Sequence, residues 1–256
     1  MDRYTIHNFG RVPDLSIDLM LDPERYVDQR IIKTGYFERA ITDFINSYMS
    51  SKNDFVAVDI GANIGYHTML LAHHCSKVYA FEPSTIYFDI LKTNCELNGF
   101  ADKVELFKFA LSDETKTANL CINSNSATFH ILKNKTFWSE ESVQCFALDQ
   151  VLGDTKVDLI KVDCDGHDPF AIRGSENLIR TYHPVIITEI AKEHYIVSGC
   201  SIEDFYNDLR DLGYDIYSER DLSEMVSIED VLDLSNTPKA SSFNVICLPQ
   251  QSEFEA

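Results

Sequence analysis

A chain of 256 residues, 45% hydrophobic and 25% charged, fits one α/β domain with extra N-terminal structure and needs no disulfide or metal staple to hold a core. Its 41 acidic and 22 basic residues give a formal net charge of -19, a field that repels phosphate backbones and anionic lipid, so neither nucleic acid nor a membrane is expected as a partner. The opening MDRYTIHNFG lacks the pattern of a secretory signal, no apolar run approaches the ~18–20 residues that span a bilayer, and the seven cysteines are dispersed without a C-x-x-C pair, so a cytoplasmic protein with reduced thiols is expected.

Residues 1–54 read as an N-terminal extension. Leu15 to Leu21 alternates partly like a strand and breaks at Asp22-Pro23. Helices are predicted over Tyr26 to Lys33 and Glu38 to Met49, the second with Ala40, Ile41, Phe44, Ile45 and Tyr48 at helical spacing. Together they suggest a helical lid over the sheet edge and over any pocket there. From Phe55 to the end, residues 55–256, strand and helix alternate. Strands are predicted at Phe55 to Val58, Lys77 to Phe81, Val104 to Leu111, Val157 to Asp163, Val185 to Thr188, Tyr214 to Tyr217 and Phe243 to Leu248. Helices fall at Tyr66 to His74 and Thr85 to Asn98, with Gly99 after the second. Asp168-Pro169 reads as N-cap and first residue of another helix, and Ser201-x-x-Asp204 opens one that Gly213 closes. Residues 115–150 interrupt the rhythm. There Ala118 to Ile122 and Ala127 to Ile131 resemble a hairpin across Asn123 to Ser126, hence a small β insertion. Seven strands in repeated βα units predict a doubly wound, mainly parallel, Rossmann-like sheet.

The stretch VDIGANIGYHT, Val58 to Thr68, takes a buried strand through a glycine turn into a helix. A dinucleotide turn carries G-x-G-x-x-G, and its middle glycine lets a pyrophosphate approach; here Asn63 stands in that place, which argues against NAD. S-adenosylmethionine has no pyrophosphate to seat. Asp59 and the turn amides can receive its ammonium and carboxylate, and Glu82, at the end of the second strand, can accept ribose hydroxyls. An NAD-linked oxidoreductase and a non-catalytic S-adenosylmethionine-binding module stand as the alternatives.

VDIGANIGYHT, AFEPS, the Asn94/Asn98 pair of TNCELNG, FALSD and IKVDCDGHD together resemble the FkbM-type methyltransferases, over about Phe55 to Glu189. The resemblance implies a class I methyltransferase fold, S-adenosylmethionine as methyl donor, and a hydroxyl acceptor on a sugar or other small metabolite. It further implies that Asp59, Gly61, Asn63, Gly65 and Tyr66 surround the methionine part, Glu82 the ribose, and Ala110 to Ser112 the adenine. The family pattern has two glutamates after the fourth strand where this chain has Asp165 and Asp168, each one methylene shorter.

Methyl transfer to a hydroxyl requires positioning of the acceptor and removal of its proton. Lys161, Asp163 and Asp165 are spaced by two and share a face if the strand stays regular. His167 follows at the strand's C-terminal end, where ligands bind in open α/β sheets, and histidine is the side chain suited to proton transfer at neutral pH. His167, Asp163 and Lys161 are therefore the candidate catalytic residues, against structural readings of a helix-capping His167 and a Lys161–Asp163 ion pair. No metal is expected; if the reaction uses one, Asp163, Asp165 and Asp168 are the candidate ligands. Glu189 is either an acceptor contact or a surface carboxylate, His73-His74 a surface pair, and Phe137 and Trp138 either packing or a stacking platform for a sugar. The expected reaction is O-methylation of a small-molecule or saccharide acceptor.

Overall fold

Strands as apolar as Val56 to Ile60 and Leu159 to Val162 must be covered on both faces, which a parallel sheet between helical layers achieves. The computed structural model describes residues 5–8, 15–50, 54–123, 127–129, 137, 139–236 and 242–250. The N-terminal segment holds β1 (Thr5–Asn8), β2 (Asp18–Leu21), α1 (Tyr26–Thr34) and α2 (Arg39–Met49). Next come β3 (Val56–Ile60), α3 (Tyr66–His74), β4 (Lys77–Phe81), α4 (Thr85–Leu97) and β5 (Val104–Phe107). An insertion contributes β6 (Ala110–Leu111), β7 (Lys116–Ile122), β8 (Ala127–Thr128) and β9 (Ser139–Phe146). The chain then forms α5 (Leu148–Leu152), β10 (Leu159–Val162), α6 (Asp168–Arg173), α7 (Glu176–Tyr182) and β11 (Val185–Ile190). It ends with α8 (Lys192–Ser198), α9 (Ile202–Asp211), β12 (Tyr214–Ser218), β13 (Asp221–Met225), α10 (Ile228–Ser235) and β14 (Phe243–Pro249).

The main sheet has eight strands in the order β13-β12-β14-β11-β10-β3-β4-β5. The run from β11 to β5 is parallel, whereas β14, β12 and β13 pair antiparallel. The sheet is thus mixed and one strand wider than the seven-stranded, mainly parallel sheet expected. The added β13 is exposed at all five positions, an edge strand without the apolar alternation that marks a strand in sequence. β3 is flanked by β4 on one side and β10 on the other, so strand order reverses at β3/β10 and opens a crevice beyond their C-terminal ends.

Two further expectations are corrected and a third is extended. The predicted strand Val104 to Leu111 is two strands in different sheets, with β6 pairing parallel to β9. At the break Phe109 turns edge-on to Phe146 at 4.9 Å, while Phe107 stacks on Phe81 at 4.6 Å. In the insertion β7 pairs antiparallel with β8 as expected, at two positions, and also with β9 at seven, giving a sheet ordered β6-β9-β7-β8; His130, Ile131 and Trp138 lie outside the described residues. β9 escapes notice because its outer half, Ser139 to Ser142, is polar and solvent-facing. The N-cap of α6 is His167 rather than Asp168, with Pro169 in the first turn. By contrast, Ser201 caps α9 by accepting the Asp204 N–H, as its spacing predicts.

The N-terminal segment is not wholly helical, since β1 and β2 form an antiparallel pair. Asn94 and Asn98, one turn apart on α4, fasten β2 to the rest of the molecule. Asn98 Oδ1 accepts the Asp18 N–H at 2.9 Å, and Asn94 Oδ1 accepts the Met20 N–H at 2.7 Å. The Asn94 amide in turn donates to the carbonyl of Ile64 at 2.7 Å, so one buried side chain joins β2 to the glycine turn.

Candidate active site

The turn after β3 consumes its own amides. Gly61 and Ala62 N–H both donate to the Phe81 carbonyl at 3.0 Å, Asn63 N–H donates to Glu82 Oε2 at 2.8 Å, Ile64 N–H to Asn63 Oδ1 at 2.8 Å, and Gly65 N–H to the Ala62 carbonyl at 2.8 Å. These groups shape the site rather than offer themselves to a carboxylate, contrary to expectation. Gly61, at φ 78°, lies so close to β10 that a Cβ there would sit 2.0 Å from the Asp163 carbonyl oxygen. Gly65 answers a different need. Its Cβ would meet Leu91 Cδ1 at 2.5 Å, so it lets α3 begin against α4 and lines neither cavity described below. Asn63 holds φ 52°, a left-handed conformation that asparagine tolerates better than most side chains.

Two cavities meet over the β3/β10 crevice. One, of about 510 Å³, has apolar walls that include Phe81, Phe109, Ala110 and Leu111, with Glu82 and His167 among its polar members. The other, of about 700 Å³, is lined by Glu38, Asp59, Tyr66, His67, Lys161 and Glu189 together with Val27 and Phe37. Gly61, Asn63, Asp163 and Asp165 line both, so the two form one cleft with an apolar and a polar half.

Asp59 lies at the floor of the polar half, 1% exposed and directly across from Lys161 in the β3/β10 register. Thr68 Oγ1 donates to its Oδ2 at 2.5 Å, while its buried Oδ1 has no hydrogen-bond partner. Burial raises the Asp59 pKa against the opposing pull of Lys161 and Thr68. Lys161 Nζ pairs with Asp163 Oδ2 at 3.1 Å. Burial works against its charge, yet Asp163, Asp59 and Glu38 together hold its pKa above the ordinary lysine value. A lysine so held keeps its proton and cannot serve as a base. Glu82, 4% exposed, is pushed up to about 7 by burial even though the Ser84 and Asn63 amides donate to it.

His167 lies in the apolar half, away from Asp59 and Lys161. Its ring stacks on Phe170 at 4.8 Å and meets Phe129 at 4.8 Å, and its Nε2 is 3.1 Å from Ser112 Oγ. That hydroxyl also lies 3.0 Å from Asp113 Oδ1. Ser112 is fully buried and lines neither cavity, so of the Ala110–Ser112 segment Ala110 and Leu111 reach the cleft. Asp168 is also buried, with Oδ2 accepting the Gly166 N–H at 3.1 Å and Oδ1 the Thr188 hydroxyl at 3.4 Å; it fixes the loop to β11. Asp163, Asp165 and Asp168 do not converge: among the described residues no three His, Cys, Asp or Glu side chains form a metal-binding group. Tyr66 lines the polar half, with its hydroxyl 3.2 Å from Thr42 Oγ1. Glu189 lines it too, its pKa raised by burial and by Asp163 and Asp168. His74 Nε2 bonds Asn46 Oδ1 at 2.9 Å, a link between α2 and α3, and Phe137 is half-exposed.

Two ionisable residues of the polar half, Glu38 and His67, escaped the sequence reading. His67 sits in the first turn of α3, inside the very motif that announces the site, and only its helical phase aims it inward. Glu38 arrives from the N-terminal segment, and no local pattern signals that contact.

Residues 59–216 match the methyltransferase FkbM domain, well over half of the chain. The chain belongs to the FkbM methyltransferase family. It is accordingly an S-adenosylmethionine-dependent methyltransferase by family, and the NAD-linked alternative is set aside. A curated relative, methyltransferase sdnD of Sordaria araneosa, is 24% identical, the match covering 76% of this chain and 87% of that protein. A putative rRNA methylase from Clostridium thermocellum shares the fold at a TM-score of 0.52 and 9% identity, over 83% of this chain and 97% of that one. The methyltransferase FkbM structure from Methylobacillus flagellatus KT aligns at a TM-score of 0.49 and 14% identity; the match takes in 76% of this chain and 43% of that chain, under half its length. No helix among the described residues is long and apolar enough to cross a membrane.

Proposed function

We propose that this FkbM methyltransferase transfers the methyl group of S-adenosylmethionine to a hydroxyl of a sugar or sugar-bearing small metabolite. The observation that carries the reading is the two-part cleft, apolar on one side and polar on the other, with the unpartnered Asp59 Oδ1 buried in its polar half. The residues present fit an amphiphilic donor of this kind. Asp59 would receive the ammonium, Glu82 the ribose hydroxyls, and the Phe81, Ala110 and Leu111 walls the adenine. When bound, S-adenosylmethionine supplies a methyl group already activated on its sulfonium.

The chain's own work is to seat the acceptor and dispose of its proton. Lys161, permanently charged, holds Asp163 at the junction of the two halves. Carboxyl side chains outnumber basic ones around the polar half: Glu38, Asp163, Asp165 and Glu189 stand against Lys161. That balance favours an acceptor rich in hydroxyl donors over a phosphorylated or carboxylated one. His167, with its Nε2 against Ser112 Oγ and its ring between two phenylalanines, supports the wall of the apolar half.

The test has two stages. Calorimetry with S-adenosylhomocysteine should show one site per chain, and no heat sinks the donor assignment. Transfer of a radiolabelled methyl group is then followed across neutral, amino and acidic glycosides. Methylation confined to acidic glycosides, or to none, sinks the acceptor reading.

A further inference from the structure

The polar half contains two buried atoms that nothing else in the fold uses. His67 Nε2 and Glu38 Oε2 lack hydrogen-bond partners and stand 3.6 Å apart, with the His67 side chain 6% and the Glu38 side chain 17% exposed. An opposite-sign pair at this distance would ordinarily be read as an ion pair. Here burial, with Lys161 nearby, drives the His67 pKa well down, toward neutral imidazole. Burial, reinforced by Asp163 and Glu219 and opposed by Lys161 and Asn244, pushes Glu38 up to about 7. Both residues line the same cavity. An oxygen placed about 2.8 Å from each atom closes a triangle on a 3.6 Å base, which is the geometry of one hydroxyl bonded to both.

The backbone carries the same message independently. Glu38 precedes α2 with φ 48° and ψ 67°, a left-handed conformation that glycine adopts without strain and glutamate does not. What the side chain gains there is a fixed aim. Asn244 Nδ2, from β14, donates to Glu38 Oε1 at 2.8 Å and also reaches Glu219 Oε2 at 3.1 Å, leaving Oε2 as the oxygen turned to His67.

We propose that Glu38 and His67 form the cradle of the acceptor hydroxyl, with Glu38 as the general base and neutral His67 orienting the acceptor oxygen. The inference rests on the hydroxyl-methylation reading above. The acceptor O–H donates to Glu38 Oε2, and the His67 Nε2–H donates to the acceptor oxygen. As the new oxygen–carbon bond forms, the carbon–sulfur bond breaks, and the sulfur keeps the bonding pair to become a neutral thioether. The proton stays on the Glu38 carboxyl until solvent removes it.

The test uses the full chain saturated with S-adenosylhomocysteine, isotope-labelled at glutamate carboxyls and histidine ring nitrogens, with glycerol as a minimal hydroxyl probe. A carboxyl resonance titrating near pH 7 should be absent from Glu38→Gln, and glycerol should shift both it and the His67 ring signal. Glycerol leaving both signals unmoved overturns the cradle. On any glycoside that the wild type methylates, Glu38→Gln should lower kcat about 10²–10⁴-fold and abolish the acid limb of the pH profile, with S-adenosylhomocysteine affinity unchanged. His67→Gln, which keeps an amide donor, should retain more activity than His67→Ala. Transfer that survives Glu38→Gln at the wild-type kcat overturns the cradle alone. A wild type that methylates no glycoside refutes the sugar reading, and the glycerol titration then decides the cradle by itself.

Discussion

Asn94→Ala separates the way this fold is held together from the way it binds ligands. Asn94 is fully buried and satisfies two main-chain groups far apart in sequence, accepting from Met20 N–H and donating to the Ile64 carbonyl, each at 2.7 Å. Alanine leaves both without that partner. A buried polar group stripped of its hydrogen bond costs about 1–3 kcal/mol, so the two together predict a loss of about 2–6 kcal/mol. Against a total stability of about 5–15 kcal/mol, that loss is readily seen in urea unfolding as a lower midpoint at unchanged slope. Asn94→Asp sharpens the test. It keeps an acceptor for Met20 but turns a carboxylate oxygen toward the Ile64 carbonyl, so it should destabilise at least as much. A loss under about 0.5 kcal/mol for both variants would refute the reasoning, because it would mean that neither main-chain group depends on this side chain.

Asp59→Asn should fold, since Lys161 retains Asp163, but should lose about tenfold or more in S-adenosylhomocysteine affinity by calorimetry, the equivalent of one charge-assisted hydrogen bond; a change below about threefold counts against the ammonium assignment. Gly61→Ala meets the Asp163 carbonyl at 2.0 Å, whereas Gly99→Ala meets nothing within 4 Å although both glycines have positive φ, so by thermal melting Gly61→Ala should cost at least about 2 kcal/mol more. Glu38, Glu82 and Asp168 are each pushed up to about 7 in the folded chain by burial, from 4.5, 4.5 and 3.8. The unfolded chain therefore releases these protons first, and stability of the ligand-free protein should fall as pH rises from about 4.5 to 7 and level off above. Glu82→Gln should remove about 3 kcal/mol of that fall, and an unchanged pH dependence of urea midpoints would contradict it. A ligand that donates hydroxyls to the Glu82 carboxylate must lower its pKa, so S-adenosylhomocysteine binding at pH 6 should release protons, as read from calorimetry in buffers of different ionisation heat.

The crevice at the ends of β3 and β4 was legible because its determinants are local. A strand, a glycine turn and a helix start lie in consecutive residues, and Glu82 follows the next strand at a fixed place. Gly61 and Asp59 could be singled out from spacing alone. Gly65 and Ser112 could not be told apart from ligand contacts, since only packing shows that the first clears Leu91 and the second serves His167. Of the candidate catalytic residues, Lys161 and Asp163 line the polar half and His167 the apolar half, a separation that only packing shows. Strand phase placed Lys161 and Asp163 correctly as neighbours, but whether a lysine can lose its proton depends on Asp59 and Glu38, which approach from β3 and from the N-terminal segment. The exposed edge strand β13 and the polar half of β9 carry no apolar period, so neither the main sheet's true width nor a central strand of the insertion's sheet was readable.

The match to the FkbM domain begins at residue 59 and ends at 216, and it contains Asp59, Gly61, Glu82, Lys161 and the residues shared by both cavities. Val27, Phe37 and Glu38, which wall the polar half, lie before it, and Asn244 and Glu219, which aim Glu38, lie after it. Methyl transfer needs one invariant partner and one variable one, and the chain divides accordingly. On the proposed reading, the shared domain would seat the donor at the β3/β10 crevice, and the flanking segments would close the side on which an acceptor enters. Two members of this family can then keep the same donor geometry while presenting different groups from residues outside the domain. On that argument, exchanging residues 25–38 between family members should alter acceptor preference while leaving S-adenosylhomocysteine affinity within about threefold, because Asp59 and Glu82 stay in place. An exchange that weakens donor binding as much as Asp59→Asn does, with acceptor preference unmoved, would show that the N-terminal segment serves the donor instead.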